Sequence, residues 1–165
     1  MAATMKIFEL SASLVGTDKT GNTVRFKLAD NATVDSNNAV TIPAGNYIRR
    51  SYTKQLRMYC ATAPDTQINN LQVYTDGGEF GTGINVYASP IAPADFAANA
   101  TTWGNTTDLF TYVTGTRLDM DANDSVAITA TGFGGDILKV QLCVASSASS
   151  GTLTAETITF TYDEI

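Results

Sequence analysis

The chain has 165 residues and a mass of 17.5 kDa, enough for one domain (1–165) with its own hydrophobic core. Charged residues make up only 16%, against an average of about 25%, and the formal net charge is −6 with a pI near 4.4. The acidic balance disfavours nucleic acid. No residue is His, which removes imidazole-based triads and His-containing zinc sites, and no apolar run approaches the roughly 18 residues of a membrane span.

The N-terminal MAATMKIFELSASLVG lacks the pattern of a signal peptide, because Lys6 and Glu9 interrupt its apolar part. The expectation is synthesis in the cytoplasm without standard export. Within it, KIFELSASL alternates, with Phe8, Leu10, Ala12 and Leu14 opposite Glu9, Ser11 and Ser13. TVRFKLA places Val24, Phe26 and Leu28 on one face, and the turn residues between these runs predict an early hairpin. AVTIPAGNY predicts a short strand stopped by Pro43. In the next run Tyr52, Lys54, Leu56, Met58 and Cys60 share a face, with Lys54 near the exposed end.

TQINNLQVYTD puts Leu71 and Val73 inward, and INVYAS puts Ile84, Val86 and Ala88 on one side. The Gly-rich link between them predicts a second hairpin. From Pro90 to Gly104 the pattern breaks, and Pro93 is placed to open one short helix running toward Asn99. Beyond it DLFTYVTG, DSVAITATG (Val126, Ile128, Ala130) and DILKVQLCVAS (Leu138, Val140, Leu142, Val144) alternate. TITFTYDEI does so most cleanly. Ile158, Phe160 and Tyr162 are expected in the core, on a strand internal to its sheet. The expected fold is all-β: an antiparallel, jelly-roll-like β-sandwich of eight to ten strands with at most one short helix.

Few residues suggest chemistry. RRSYTKQLR clusters Arg49, Arg50, Lys54 and Arg57. The plain reading is a solvated strand face; the functional one is a docking patch for an acidic surface. Trp103 reads as a plug over the core, or, if exposed, as a binding anchor. LDMDANDS sets Asp119, Asp121 and Asn123 at the first positions of a calcium loop. Asp124 then replaces the required Gly and Ala130 the required Glu. An acidic turn is the default there, with a looser calcium site as the alternative. Asp76/Glu79 and Asp163/Glu164 lack the aromatic-lined cleft of a glycosidase. Cys60 and Cys143 read as buried free thiols, with a disulfide open if their strands are neighbours. The sequons at Asn31, Asn99 and Asn105 carry little weight in an Asn/Thr-rich chain without an export signal. No catalytic residue, cofactor or metal is assigned.

Two stretches, INNLQVYTDGGEFGTGINVYAS and SGTLTAETITFTYDEI, resemble segments of small β-rich virion proteins of tailed bacteriophages, of the kind that decorate or cement the head shell. The resemblance covers about a quarter of the chain and lies in Gly-rich turns and Thr-rich strands rather than in a motif. It implies a jelly-roll-like, often trimeric, non-enzymatic subunit located in the virion. The implied partners are the major capsid protein or other virion subunits. The alternative is a carbohydrate- or receptor-binding β-sandwich module of a phage tail or fibre. Neither reading invokes nucleic acid or membrane.

Overall fold

The computed structural model describes residues 2–11 and 14–165. Among these are nine strands: β1 (Thr4–Leu10), β2 (Gly16–Asp18), β3 (Ile48–Arg50), β4 (Lys54–Thr62), β5 (Ile68–Tyr74), β6 (Ile84–Ile91), β7 (Leu118–Asp119), β8 (Gly132–Ala145) and β9 (Thr159–Glu164). The fold is all-β, and every strand pair is antiparallel.

β8 is the axis of the larger sheet. One of its edges takes β4 and then β3, and the other takes β6. β1 and β2 extend the sheet beyond β4, giving the order β2-β1-β4-β8-β3 with β6 on the far side of β8. A smaller sheet has the order β7-β5-β9. Alternation turns one face of the large sheet toward the small one. Leu56, Met58 and Cys60 of β4, Ile84, Val86 and Ala88 of β6, and Leu138, Val140, Leu142 and Val144 of β8 share one apolar cluster with Ile68, Leu71, Val73 and Leu118 of the small sheet.

The reverse face of the large sheet is buried too, but by irregular chain. Leu10 and Ile137 are fully buried there without belonging to the main cluster. Gln55 and Gln141 on the same face bind carbonyls of residues 97–101, which lie over it. Phe8, Tyr59 and Phe133 form a ring cluster with centroids 5.0–5.5 Å apart.

Several expectations are corrected. Residues 23–28, 39–42 and 126–130 are not strands; Lys27↔Ala39 and Ile68↔Ile128 are isolated bridges, and Val126 is exposed. The partner of β1 is therefore β2, then β4, rather than TVRFKLA. Residues 109–111 form a 3-10 turn instead of a strand, and Pro93–Asp95 form another, so two such turns replace the single short helix. β5 and β6 are not a hairpin. They lie in different sheets, and the Gly-rich link crosses between them. In β1 it is Met5 and Ile7 that pack on the shared core, while Phe8 faces the reverse side; Ala12 and Ser13 lie outside the described residues. β9 is an edge strand, not an internal one, with Ile158, Phe160 and Tyr162 half-buried against the core.

The β4–β8 ladder breaks at a bulge, where Leu56↔Leu138 is followed by Met58↔Gly134. Gly135 sits there at φ +66°, and an added Cβ would lie 2.9 Å from the Met120 carbonyl oxygen. Gly135→Ala is expected to cost more than about 1 kcal/mol in urea unfolding, whereas Gly115→Ala, which meets no atom within 4 Å, stays within about 0.5 kcal/mol.

Candidate docking surface

The basic cluster of the β3–β4 run does not form one exposed patch. Lys54 is fully buried, and its Nζ donates to Glu9 Oε1 at 2.7 Å and to the Asn31 carbonyl at 2.7 Å. Arg57 is also buried. It donates to Asp124 Oδ2 and to the Gly135 carbonyl, each at 3.0 Å. Half-buried Arg50 donates to the Trp103 carbonyl at 3.3 Å and to Cys143 Sγ at 3.1 Å, and lies over the Tyr87 ring. Arg49 alone of the four is exposed, and it donates to Thr41 Oγ1 at 2.6 Å. Lys54 is therefore a core residue rather than an exposed strand end.

Glu9 sits on β1 across from Leu56, on the inward face beyond the small sheet. Its second oxygen has only a 3.6 Å contact with Lys19. The same corner shows how the chain from 19 to 35 is held. Three consecutive carbonyls accept from three ammonium groups: Asn31 from Lys54, Ala32 from Lys19 and Thr33 from Lys27. Lys27 also pairs with Asp35 at 3.0 Å, which lowers the Asp35 carboxyl below its usual range.

Trp103 is half-buried on the reverse face of the large sheet, with the Lys139 ammonium 5.6 Å from its ring centroid. It neither plugs the shared core nor stands free as an anchor. Asn99, the middle sequon, is buried between Asp30, Gln55 and the Leu10 carbonyl. Both cysteines are buried and free. Cys60 stands opposite Gly132 and Cys143 opposite Arg50, so eleven residues of β8, about 36 Å of strand, separate them. Burial raises both thiols above the ordinary value.

The remaining surface is notable for what is apolar. Tyr47 is 74% exposed and Ile48 55%, and Ile42 is exposed nearby in the chain. Tyr47 is the one exposed aromatic among the described residues. Ile48 opens β3, which pairs with β8 on one side and with no other strand among the described residues. A cleft between β1, β4 and β9 is lined by Met5, Ile7, Met58, Ile158, Phe160 and Tyr162, with no carboxylate, amine or thiol. A second, beside residues 126–134, has one carboxylate, Asp124, already paired with Arg57. Sequence reasoning singled out neither Tyr47 nor Ile48, because alternation does not report which residues the rest of the chain leaves uncovered. Comparisons with protein families, with curated proteins and with solved structures return no match for this chain.

Breaking the buried pair from one side leaves a charge without a partner. Lys54→Met is expected to destabilise by about 3–5 kcal/mol, because Glu9 stays buried and uncompensated. Adding Glu9→Leu is expected to restore at least about 1 kcal/mol of that loss, read as a coupling energy in a denaturant double-mutant cycle.

Proposed function

We propose that this chain is a non-enzymatic structural subunit of a virion, a decoration or cement subunit on the head of a tailed bacteriophage. One observation carries the docking part of the reading. Most basic side chains of the β3–β4 run are committed inside the fold, while Tyr47, Ile48 and Ile42 are left outward beside the free edge of β3. An apolar patch flanked by one outward cation, Arg49, suits a partner surface that is apolar at its centre and acidic at its rim. The Gly-rich and Thr-rich stretches that resemble head-decorating proteins support the choice of partner, the major capsid protein.

A symmetric assembly, with a trimer favoured, lets weak contacts suffice. Each subunit adds its own contact, and the second and third form at high effective concentration. A sugar-binding module needs several exposed aromatics sharing a face. Tyr47 alone meets the exposure requirement among the described residues, so the carbohydrate- or receptor-binding alternative has less support.

Saturable binding of the purified chain to empty capsids is the direct test. Tyr47→Ser and Ile48→Ser are each expected to weaken that binding about tenfold or more with an unchanged melting curve. Full-strength binding by both variants, or a clear hit on a glycan array with no capsid binding, would overturn the reading.

A further inference from the structure

The link that crosses from β5 to β6, and so from one sheet to the other, opens with Thr75, Asp76, Gly77 and Gly78. Thr75 anchors it. It is buried, and both its N–H, at 2.8 Å, and its hydroxyl, at 3.1 Å, donate to the Tyr112 carbonyl. The next residue is turned out. Asp76 is exposed, and its Oδ1 accepts from the Gly78 N–H at 2.9 Å. That bond folds the carboxyl group back along its own chain, past the intervening Gly77 peptide. Gly77 has φ +85° and no Cβ to shield its nitrogen, and its N–H donates to Thr75 Oγ1 at 3.2 Å.

A carboxyl group held beside the backbone nitrogen of the following residue is an electrophile next to a nucleophile, in one molecule and at high effective concentration. Four aspartates precede Gly, Ala or Ser, the residues that obstruct such an approach least: Asp35, Asp76, Asp121 and Asp124. Three of them are restrained. Asp35 pairs with Lys27 and Asp124 with Arg57, each at 3.0 Å. Asp121 accepts from the Leu71 N–H with one oxygen, and its other oxygen is buried. Asp76 faces water, has no paired cation among the described residues, and is the one that precedes Gly. No Asn precedes Gly anywhere in the chain, so the competing amide route at such a step is absent.

We propose that Asp76 is a site of spontaneous backbone modification, where the Asp76–Gly77 linkage converts to isoaspartate through a cyclic imide. The electrophile is the protonated carboxyl group. The Gly77 nitrogen gives up its proton and bonds to Asp76 Cγ, and one carboxyl oxygen leaves as water. Water then adds to one of the two ring carbonyls. Opening the Cγ–N bond restores aspartate. Opening the bond from nitrogen to the former main-chain carbonyl leaves the chain running through Cβ and Cγ. No oxidant, enzyme or cofactor enters either step, and the net mass does not change.

The product alters the link between the sheets. The main chain gains one carbon between Asp76 and Gly77, and the old carbonyl carbon becomes an exposed carboxylate. The turn closed on Gly78 loses its present geometry, while Thr75 keeps its hold on Tyr112. The change therefore falls in exposed chain beyond the buried anchor, where it is tolerated.

The test is ageing of the full folded chain at physiological temperature and pH, sampled over time. Each sample is digested and its peptides are separated before electron-transfer fragmentation, with isoaspartyl methyltransferase and labelled S-adenosylmethionine as a second readout. The Asp76 peptide is expected to split into two chromatographic forms of equal mass, the new one growing with time and accepting the methyl label. A minor form one water lighter marks the imide. The peptides holding Asp35, Asp121 and Asp124 are expected to stay single. Asp76→Glu, which must close a larger ring, is expected to lose both the new form and the label while melting like the parent. Overturning results are an Asp76 peptide that isomerises no more than those of Asp35 and Asp124, or methyl labelling undiminished in Asp76→Glu. If that variant fails to fold, the comparison among aspartates in the parent still decides.

Discussion

A wide sheet with two buried faces, only one of them met by another sheet, is the constraint on which this structure depends. The small β7-β5-β9 sheet lies over part of one face of the large sheet. Irregular chain must cover the rest, and such chain brings backbone carbonyls that its own conformation does not satisfy. Long polar side chains meet that need, some on strands (Arg50, Lys54, Arg57) and some on the covering chain (Lys19, Lys27). Six of the ten basic residues (Lys19, Lys27, Arg50, Lys54, Arg57 and Arg117) donate to backbone carbonyls. Gln55 and Gln141 do the same on the reverse face. The low charge of the sequence is therefore not spread over a surface; a large part of it is internal scaffolding.

This arrangement decides what is left to face a partner. Three of the edge strands are short, with three residues in β2, three in β3 and two in β7, whereas the eight-residue edge of β6 is met on its outer side by an isolated bridge from Tyr87 to Asp108. Short edges resist unwanted strand pairing. The six-residue edge of β9 ends in exposed Asp163 and Glu164, a charged end that hinders edge-to-edge growth. Of the large apolar residues left exposed, Ile42, Tyr47 and Ile48 lie at or near β3, while Leu14, Val15, Val34, Val126, Leu153 and Ile165 lie elsewhere. The bulge in β8 is a second special place. There the strand gives up ladder bonds and turns an acidic side chain inward, a conformation that Gly134 and Gly135 permit.

Period-two alternation was enough to read the all-β class and the inward residues of β5, β6 and β8. It failed at residues 23–28 and 126–130, which alternate as true strands do but each make only one isolated bridge, Lys27↔Ala39 and Ile68↔Ile128. Alternation reports two-sided surroundings, and covering chain has those too. Lys54 was misread for another reason. A lysine on an apolar face looks like a strand end unless its partner is known, and Glu9 lies 45 residues away. The Gly-Gly-Asp step marks the bulge in the sequence, a sign that a reading of DILKVQLCVAS from Asp136 onward does not use. The acidic run at 119–124 was legible as an acidic turn, but Asp136, whose N–H binds the Met120 carbonyl beside it, comes from a different element. Tyr47 and Ile48 could not be distinguished from core residues, since exposure depends on what fails to cover them.

The crossing of the Gly-rich link between sheets has a kinetic side. β5 belongs to a sheet whose other members, β7 and β9, follow it by about 45 and about 90 residues. At ribosomal speeds of about 5–20 residues per second, β5 waits roughly 5–20 s for β9. In that interval the shared core lacks Ile158, Phe160 and Tyr162, which pack against it from the β9 segment. The order of the elements thus makes the closing of that side of the core a late event in synthesis.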